Sequence, residues 1–459
     1  MLERMASRLQ AQPAWFRTLW LMVAVQFLMG ASTTIQSPVI PLFLPQIGVT
    51  QPGQVEFWSG VLNAINFLFA AFASPMWGAV AARYGRKAMV IRSTMAICVF
   101  MALMGMSQTL WQMVLLRGMM GVFSGFSAAS IALVVTQVPE SRFGYSLGWL
   151  STGQLVGALL GPVFGGMVAD ATGSYRMAFF CTSVVAGSAA LLTWTGVIER
   201  FTKTGKASRP SLSQGFRTLF TTPSLMPLFF VLLLAQFGIR AVQPVITLFV
   251  QELTGPIPAL ATLAGFAFSI AGFADVLVSP FLGKRSDSIG YRRVLLISLM
   301  GAAVASIPQA FVDSYWQFLA LRFASGMFLG GLLPTANALV ARLVHADQRG
   351  FVFGTTATAT FLGSFLGPLC GGSIAALLSI RAVFLVAGLF FLANYIWVYL
   401  VVPASVPPRD ESEPALPGEP VVLVEDDPVV TGDSDAIIEV SPQAGDGESK
   451  PAGMPPATK

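Results

Sequence analysis

Asp275 is the one acid set deep in a long apolar stretch of this chain, eight residues from the end of 259–283. A carboxylate in such a medium can take up and release a proton, whereas a guanidinium stays charged. Arg117, Arg240 and Arg322 stand in the apolar stretches 111–137, 225–250 and 316–343. An arginine at the centre of a spanning helix costs about 2.5–3.5 kcal/mol, so each needs carbonyls, a carboxylate or a water-filled cavity. The alternative is that each snorkels to the outer interface. With a rise of about 1.5 Å per residue, Arg240 lies about 15 Å and Asp275 about 24 Å below the same side. They pair only if Arg240 reaches inward, so coupling and structural roles stay open for both. Gln36, Thr33, Thr34, Asn63 and Asn66 are polar groups that either face a cavity or bond to helix backbones. Glu56, Asp170 and Asp313 fall at outer ends of apolar stretches, where a carboxylate reads as interfacial.

Other chemistries find little here. His345 is the single histidine, with no cysteine or second histidine near it. Cys98, Cys181 and Cys370 fall in three different stretches without disulfide or metal-ligand spacing. No nucleophile and base set appears, and no Gly-x4-Gly-Lys-[Ser/Thr] loop for ATP. The expectation is a protein without metal or cofactor that is not an enzyme and does not bind nucleic acid.

The elements that must hold these charges are membrane helices. The chain has 459 residues, 54% apolar and 11% charged, against about a quarter charged in soluble proteins. Mean hydropathy is +0.70. Stretches of about 20 apolar residues, enough to cross hydrocarbon, fall at 19–44, 57–80, 88–108, 111–137, 145–169, 177–197, 225–250, 259–283, 294–311, 316–343, 352–378 and 382–403. They form two sets of six, because the chain repeats itself. Trp111, Gln112, Leu116, Arg117, Gly121, Phe123 and Gly125 return 205 positions later as Trp316, Gln317, Leu321, Arg322, Gly326, Phe328 and Gly330. Gly157-x3-Gly161-Pro162-x2-Gly165-Gly166 returns as Gly363-x3-Gly367-Pro368-x2-Gly371-Gly372. Paired halves around one central site are the plan of a carrier that opens alternately on either side.

Nineteen cations, among them Arg83, Arg86, Lys284 and Arg285, fall on the side that holds both termini, and only Arg176 and Arg381 on the other. The positive-inside rule therefore places the termini in the cytoplasm. The expected organisation is an N-terminal segment 1–16, a six-helix bundle 17–197, a linker 198–224, a second bundle 225–403 and a tail 404–459. That tail holds twelve acids against Arg409, Lys450 and Lys459, the composition of a disordered appendage.

The loop after the second stretch reads Gly78-x3-Ala82-Arg83-Tyr84-Gly85-Arg86-Lys87, and its repeat Gly283-x3-Asp287-Ser288-Ile289-Gly290-Tyr291-Arg292-Arg293. This resembles the signature loop of the major facilitator superfamily. Arg117-x3-Gly121 resembles its span-4 arginine motif, and the Gly157–Gly166 run resembles the signature of its exporting branch. Pro38-Val39-Ile40-Pro41 is similar to a motif of the twelve-span drug:proton antiporters. Trp58-Ser59-Gly60, Ser74-Pro75-Met76-Trp77-Gly78 and Thr136-Gln137-Val138-Pro139 resemble the MdtG-like multidrug efflux proteins.

The resemblance implies an all-α fold of two pseudo-symmetric six-helix bundles in a bacterial inner membrane. It further implies proton-coupled efflux of small amphipathic compounds by a monomer. Gly78, Gly85, Arg86, Gly283, Asp287, Gly290 and Arg292 would gate the cytoplasmic side, with Asp287 holding a helix end there. Ala82 departs from that pattern. Arg117, Arg322, Arg240, Asp275 and Gln36 would serve coupling or translocation, and Gly157, Gly161, Pro162, Gly165 and Gly166 would pack helices. A metabolite carrier and a non-transporting membrane receptor or scaffold are the alternatives.

Overall fold

Proline and glycine set where the helices of this chain break. The computed structural model describes residues 14–199, 225–343 and 346–402, which are helical with no strand among them. Span 1 is Ala14–Thr34, continued by Ile40–Phe43; span 2 is Gln54–Tyr84; span 3 Arg86–Gly105; span 4 Leu110–Val122 and Phe126–Val135; span 5 Phe143–Thr172; span 6 Arg176–Gly196. In the second half, span 7 is Leu225–Ala241 and Ile246–Thr254; span 8 Leu260–Ile289; span 9 Tyr291–Ser306; span 10 Tyr315–Leu329 and Leu332–Leu343; span 11 Ala346–Leu377; span 12 Ile380–Val401. Spans 1 and 7 break where Pro38 and Pro244 lack an N–H to continue the ladder. Span 4 breaks at Gly125, whose φ of +108° suits a residue without Cβ. His345, the linker 200–224, the residues before 14, the acidic tail and the side chains at 78, 82 and 287 lie outside the described residues.

Among the described residues, eleven helices are long and apolar enough to cross a membrane. Of the twelve stretches of the sequence, the first, on Ala14–Thr34, is not among them. Its packing still marks it as the partner of span 7. Gly157 and Gly165 of span 5 abut the carbonyls of Phe27 and Ile35, as Gly363 and Gly371 of span 11 abut those of Leu233 and Ala241. The outer surface is apolar, with Phe72 73%, Phe281 74% and Leu400 73% exposed. That is surface suited to lipid and not to water.

We call the face bearing Ala14 and Val402 the near face. At the opposite, far face Arg176 donates to the carbonyls of Gly105 (2.7 Å) and Ser107 (2.8 Å). Its repeat Arg381 bonds Glu252 (2.9 Å), Asp313 (3.3 Å) and the Ala310 carbonyl (3.2 Å). Each far-face cation therefore staples the helix ends of its own half. At the near face Lys87 Nζ donates to the Trp194 carbonyl (2.8 Å), and its repeat Arg292 to that of Tyr399 (2.6 Å).

The halves meet along spans 5 and 8 and along spans 2 and 11. A Cβ at Gly166 would strike the Ala261 carbonyl, one at Gly265 the Pro162 carbonyl, and one at Gly372 the Glu56 carbonyl at 2.6 Å. These joints sit toward the far face, where Thr247 Oγ1 also donates across the halves to the Pro38 carbonyl (3.0 Å). Gly148 and Gly283 lie 18 residues, about five turns, from Gly166 and Gly265 on the same faces of spans 5 and 8. A Cβ at either would meet nothing within 4 Å. Along spans 5 and 8 the two halves are thus joined toward the far face and parted, among the described residues, at the near face.

Candidate functional site

Arg117 and Arg322 are held alike. Arg117 Nε donates to the Leu62 carbonyl of span 2 (3.0 Å), and Arg322 Nε to the Ala267 carbonyl of span 8 (3.3 Å). Donor and acceptor are 55 residues apart in both cases, so the repeat in sequence is a repeat in bonding. With 6% and 9% exposure neither arginine snorkels to an interface. Glycine clears the way for this contact, since Gly121 abuts the Asn66 carbonyl and Gly326 that of Ala271.

In the second half Arg322 borders a cavity of about 260 Å³ together with Arg240, Asp275, Gln236, Gln243 and Gln309. Span 7 supplies Arg240 just before its proline break, and the break lets Gln243 Oε1 accept from the guanidinium (3.2 Å). The Arg240 guanidinium sits 5.1 Å from the ring centre of Phe67 on span 2, so the site faces the other half. Its Nε is buried without a partner. Gly330 of span 10 leaves room for Asp275, whose Oδ1 lies 2.8 Å from where a Cβ would be. Gln309 Nε2 bonds Ser325 Oγ (2.8 Å) and the Ala305 carbonyl (2.9 Å).

Among the described residues, neither Arg240 nor Arg322 forms an ion pair with Asp275. Ionised, the three leave one positive charge in excess inside the bundle. A buried charge without a contact partner is compensated by water, by a ligand or by a change in protonation. Asp275 is the one acid along this wall and so the group that can exchange a proton there.

The other residues singled out by sequence divide by place. Gln36 is 2% exposed and turns its Nε2 onto the Thr33 carbonyl (2.9 Å), away from the cavity lining. Thr33, Thr34 and Asn63 likewise bond to backbone carbonyls of their own helices. At the near-face loops Gly85 and Gly290 have φ of +92° and +93°, which glycine adopts at no steric cost. Gly161 abuts Thr34 Oγ1 and the Ala31 carbonyl. Gly157, Gly161 and Gly165 therefore pack span 5 on span 1, while Gly166 and the Pro162 carbonyl join the halves. Adding side-chain bulk at such a contact costs about 1–3 kcal/mol or more. Gly165→Val should therefore sharply reduce the monodisperse protein recovered from membranes, as size-exclusion chromatography will show.

Two acids take roles beyond the sequence reading. Glu199 accepts from the backbone N–H groups of Arg86 (2.9 Å) and Lys87 (2.8 Å), capping span 3. Asp170, read as interfacial, instead bonds the first turn of span 8 in the opposite half. Both contacts join residues more than 90 positions apart, out of reach of local pattern.

The sequence profile of the Major Facilitator Superfamily matches residues 22–260 and 228–437. The chain belongs to that superfamily. It is a multi-pass secondary transporter. Multidrug resistance protein MdtG of Serratia proteamaculans (strain 568) is 37% identical to the transporter over 383 residues, 83% of this chain and 93% of that protein. Among solved structures, the nucleoside transporter NupG superposes with a TM-score of 0.69 at 11% identity, covering 85% of this chain and 99% of that one. A bacterial homologue of the human lysosomal transporter Spinster, inward-facing and unoccupied, does so at 0.67 and 14%, covering 85% and 97%. Likeness at such low identity speaks for the fold.

Proposed function

We propose that the transporter exports small amphipathic compounds across a bacterial inner membrane in exchange for protons, with both termini in the cytoplasm. The observation that carries this reading is the second-half cavity, where Asp275 sits beside Arg240 and Arg322 without an ion pair. An acid so placed can trade a proton for a substrate that engages the same guanidinium groups. Similarity to a multidrug resistance protein over most of both chains supports efflux as the direction. With the near face cytoplasmic, the parted side of the molecule is the side from which a compound enters.

The excess positive charge of the cavity favours compounds that carry an anionic group or strong acceptors alongside their apolar surface. Permanently cationic dyes are disfavoured by the same charge. The test is proton release from purified transporter in liposomes, followed with a pH-sensitive dye against organic anions, zwitterions and cationic dyes. Release driven by members of the first two groups is expected. Uptake of compound without any proton movement would overturn the exchange, and would favour a carrier of another coupling.

A further inference from the structure

Span 8 begins without a cap of its own. Its N-cap residue, Ala259, offers no side-chain acceptor, yet the first N–H groups of any helix need one. The acceptor comes from the opposite half. Asp170 Oδ2 takes the Thr262 N–H (2.7 Å) and the Thr262 hydroxyl (2.6 Å), and Oδ1 takes the Ala261 N–H (3.3 Å). A carboxylate at a helix N-terminus gains both charge-assisted bonds and the attraction of the helix dipole. The contact lies one turn beyond the place where Gly166 abuts the Ala261 carbonyl, at the far end of the sealed joint.

The pseudo-symmetric joint lacks the device. A shift of 206 carries Asp170 onto Ala376, whose carbonyl lies 3.1 Å from where a Cβ of Gly53 would be. Gly53 is the N-cap of span 2 and likewise gives no side-chain cap. So, among the described residues, one of two equivalent joints is bridged at its far end by a carboxylate, where the other sets the Ala376 carbonyl beside Gly53.

We propose that Asp170 is the latch of the far face: a carboxylate lent by the first half that caps the second half only while that face is shut. The inference rests on the alternating opening proposed above, though not on its substrate or its coupling ion. For the far face to part, span 8 must leave span 5, and all three bonds are lost together. A cap within one half would survive that movement and bias neither state.

The test measures distance across the far mouth in the full-length protein, with Cys98, Cys181 and Cys370 replaced and spin labels at Gln108→Cys and Phe311→Cys, both exposed. Asp170→Ala should raise the ratio of far-open to far-closed molecules at least about tenfold, as expected on losing several charge-assisted bonds. Asp170→Asn keeps the shape and loses the charge, for a rise of roughly two- to fivefold, and Thr262→Val should give a partial rise of the same sign.

Ala259→Ser in the Asp170→Ala background separates a latch from a plain helix cap. It should recover thermal stability and leave the far-open ratio high. An unchanged ratio in Asp170→Ala, or its return to wild type with Ala259→Ser, would overturn the latch. Neither outcome would touch the exchange reading, which proton release tests independently. Should Asp170→Ala fail to fold, Asp170→Asn and Thr262→Val carry the same decision.

Discussion

Asp275→Asn should reduce substrate-driven proton release to the level of empty liposomes while leaving a folded, substrate-binding protein. The amide matches the carboxylate in size and cannot take up a proton at any accessible pH. Space beside Gly330 already accommodates the side chain, so no repacking follows. Because Asp275 makes no ion pair, its neutralisation strands no cation that it had been holding by contact. Two guanidinium groups then face the cavity without an opposing carboxylate, and anionic compounds should bind at least as tightly as to wild type. The pH profile of exchange should become flat. Full pH-dependent exchange by the variant would assign Asp275 to structure and move coupling elsewhere.

Arg117→Ala should abolish transport with folded protein still in the membrane. The Leu62 carbonyl that Arg117 holds lies inside the helix Gln54–Tyr84 and keeps its helical bond when the side chain goes. The structural loss is then one bond from a charged donor, about 1.5–3 kcal/mol, offset by removal of a buried guanidinium whose Nη1 has no partner. Transport is the larger casualty, because this arginine ties span 4 to the span that forms a joint with the other half. Arg322→Ala should share that loss, since Arg322 likewise ties span 10 to the joint-forming span 8, and because Arg322 also borders the cavity it should raise KM as well. Well-expressed Arg117→Ala that transports normally would show that the residue only packs.

The repeat was legible because the same residues recur at one shift, and the shared bonding of Arg117 and Arg322 follows it. Burial of both was one of two readings that the sequence left open beside snorkelling, and each buried guanidinium found the carbonyl that such a place requires. Gln236 and Gln309 were not legible as cavity residues, because a lone glutamine in an apolar stretch carries no periodic signal. The cap that Asp170 provides was not legible, for a physical reason. A carboxylate at the end of a span is cheap in water, and nothing local shows that the N–H groups it accepts from lie in the other half. The breaks at Pro38 and Gly125 needed backbone geometry, since apolar runs such as 19–44 pass through them unmarked.

The close contacts of Gly166 and Gly265 act as a pivot with arms of unequal length. Toward the near face span 5 runs the 18 residues back to Gly148, about 27 Å, and toward the far face only six to Thr172, about 9 Å. A rigid tilt of about 10° would sweep the long arm about 5 Å and the short arm about 1.6 Å at these lengths. The wide mouth is thus reached by tilting, whereas the same tilt reversed does little more than break a hydrogen bond at the far end. Opening of the far face then calls for more than this tilt, such as a bend of span 5 at Pro162, which stands beside the pivot on its near side. The transporter would then be tolerant of size at its near face and selective at its far face.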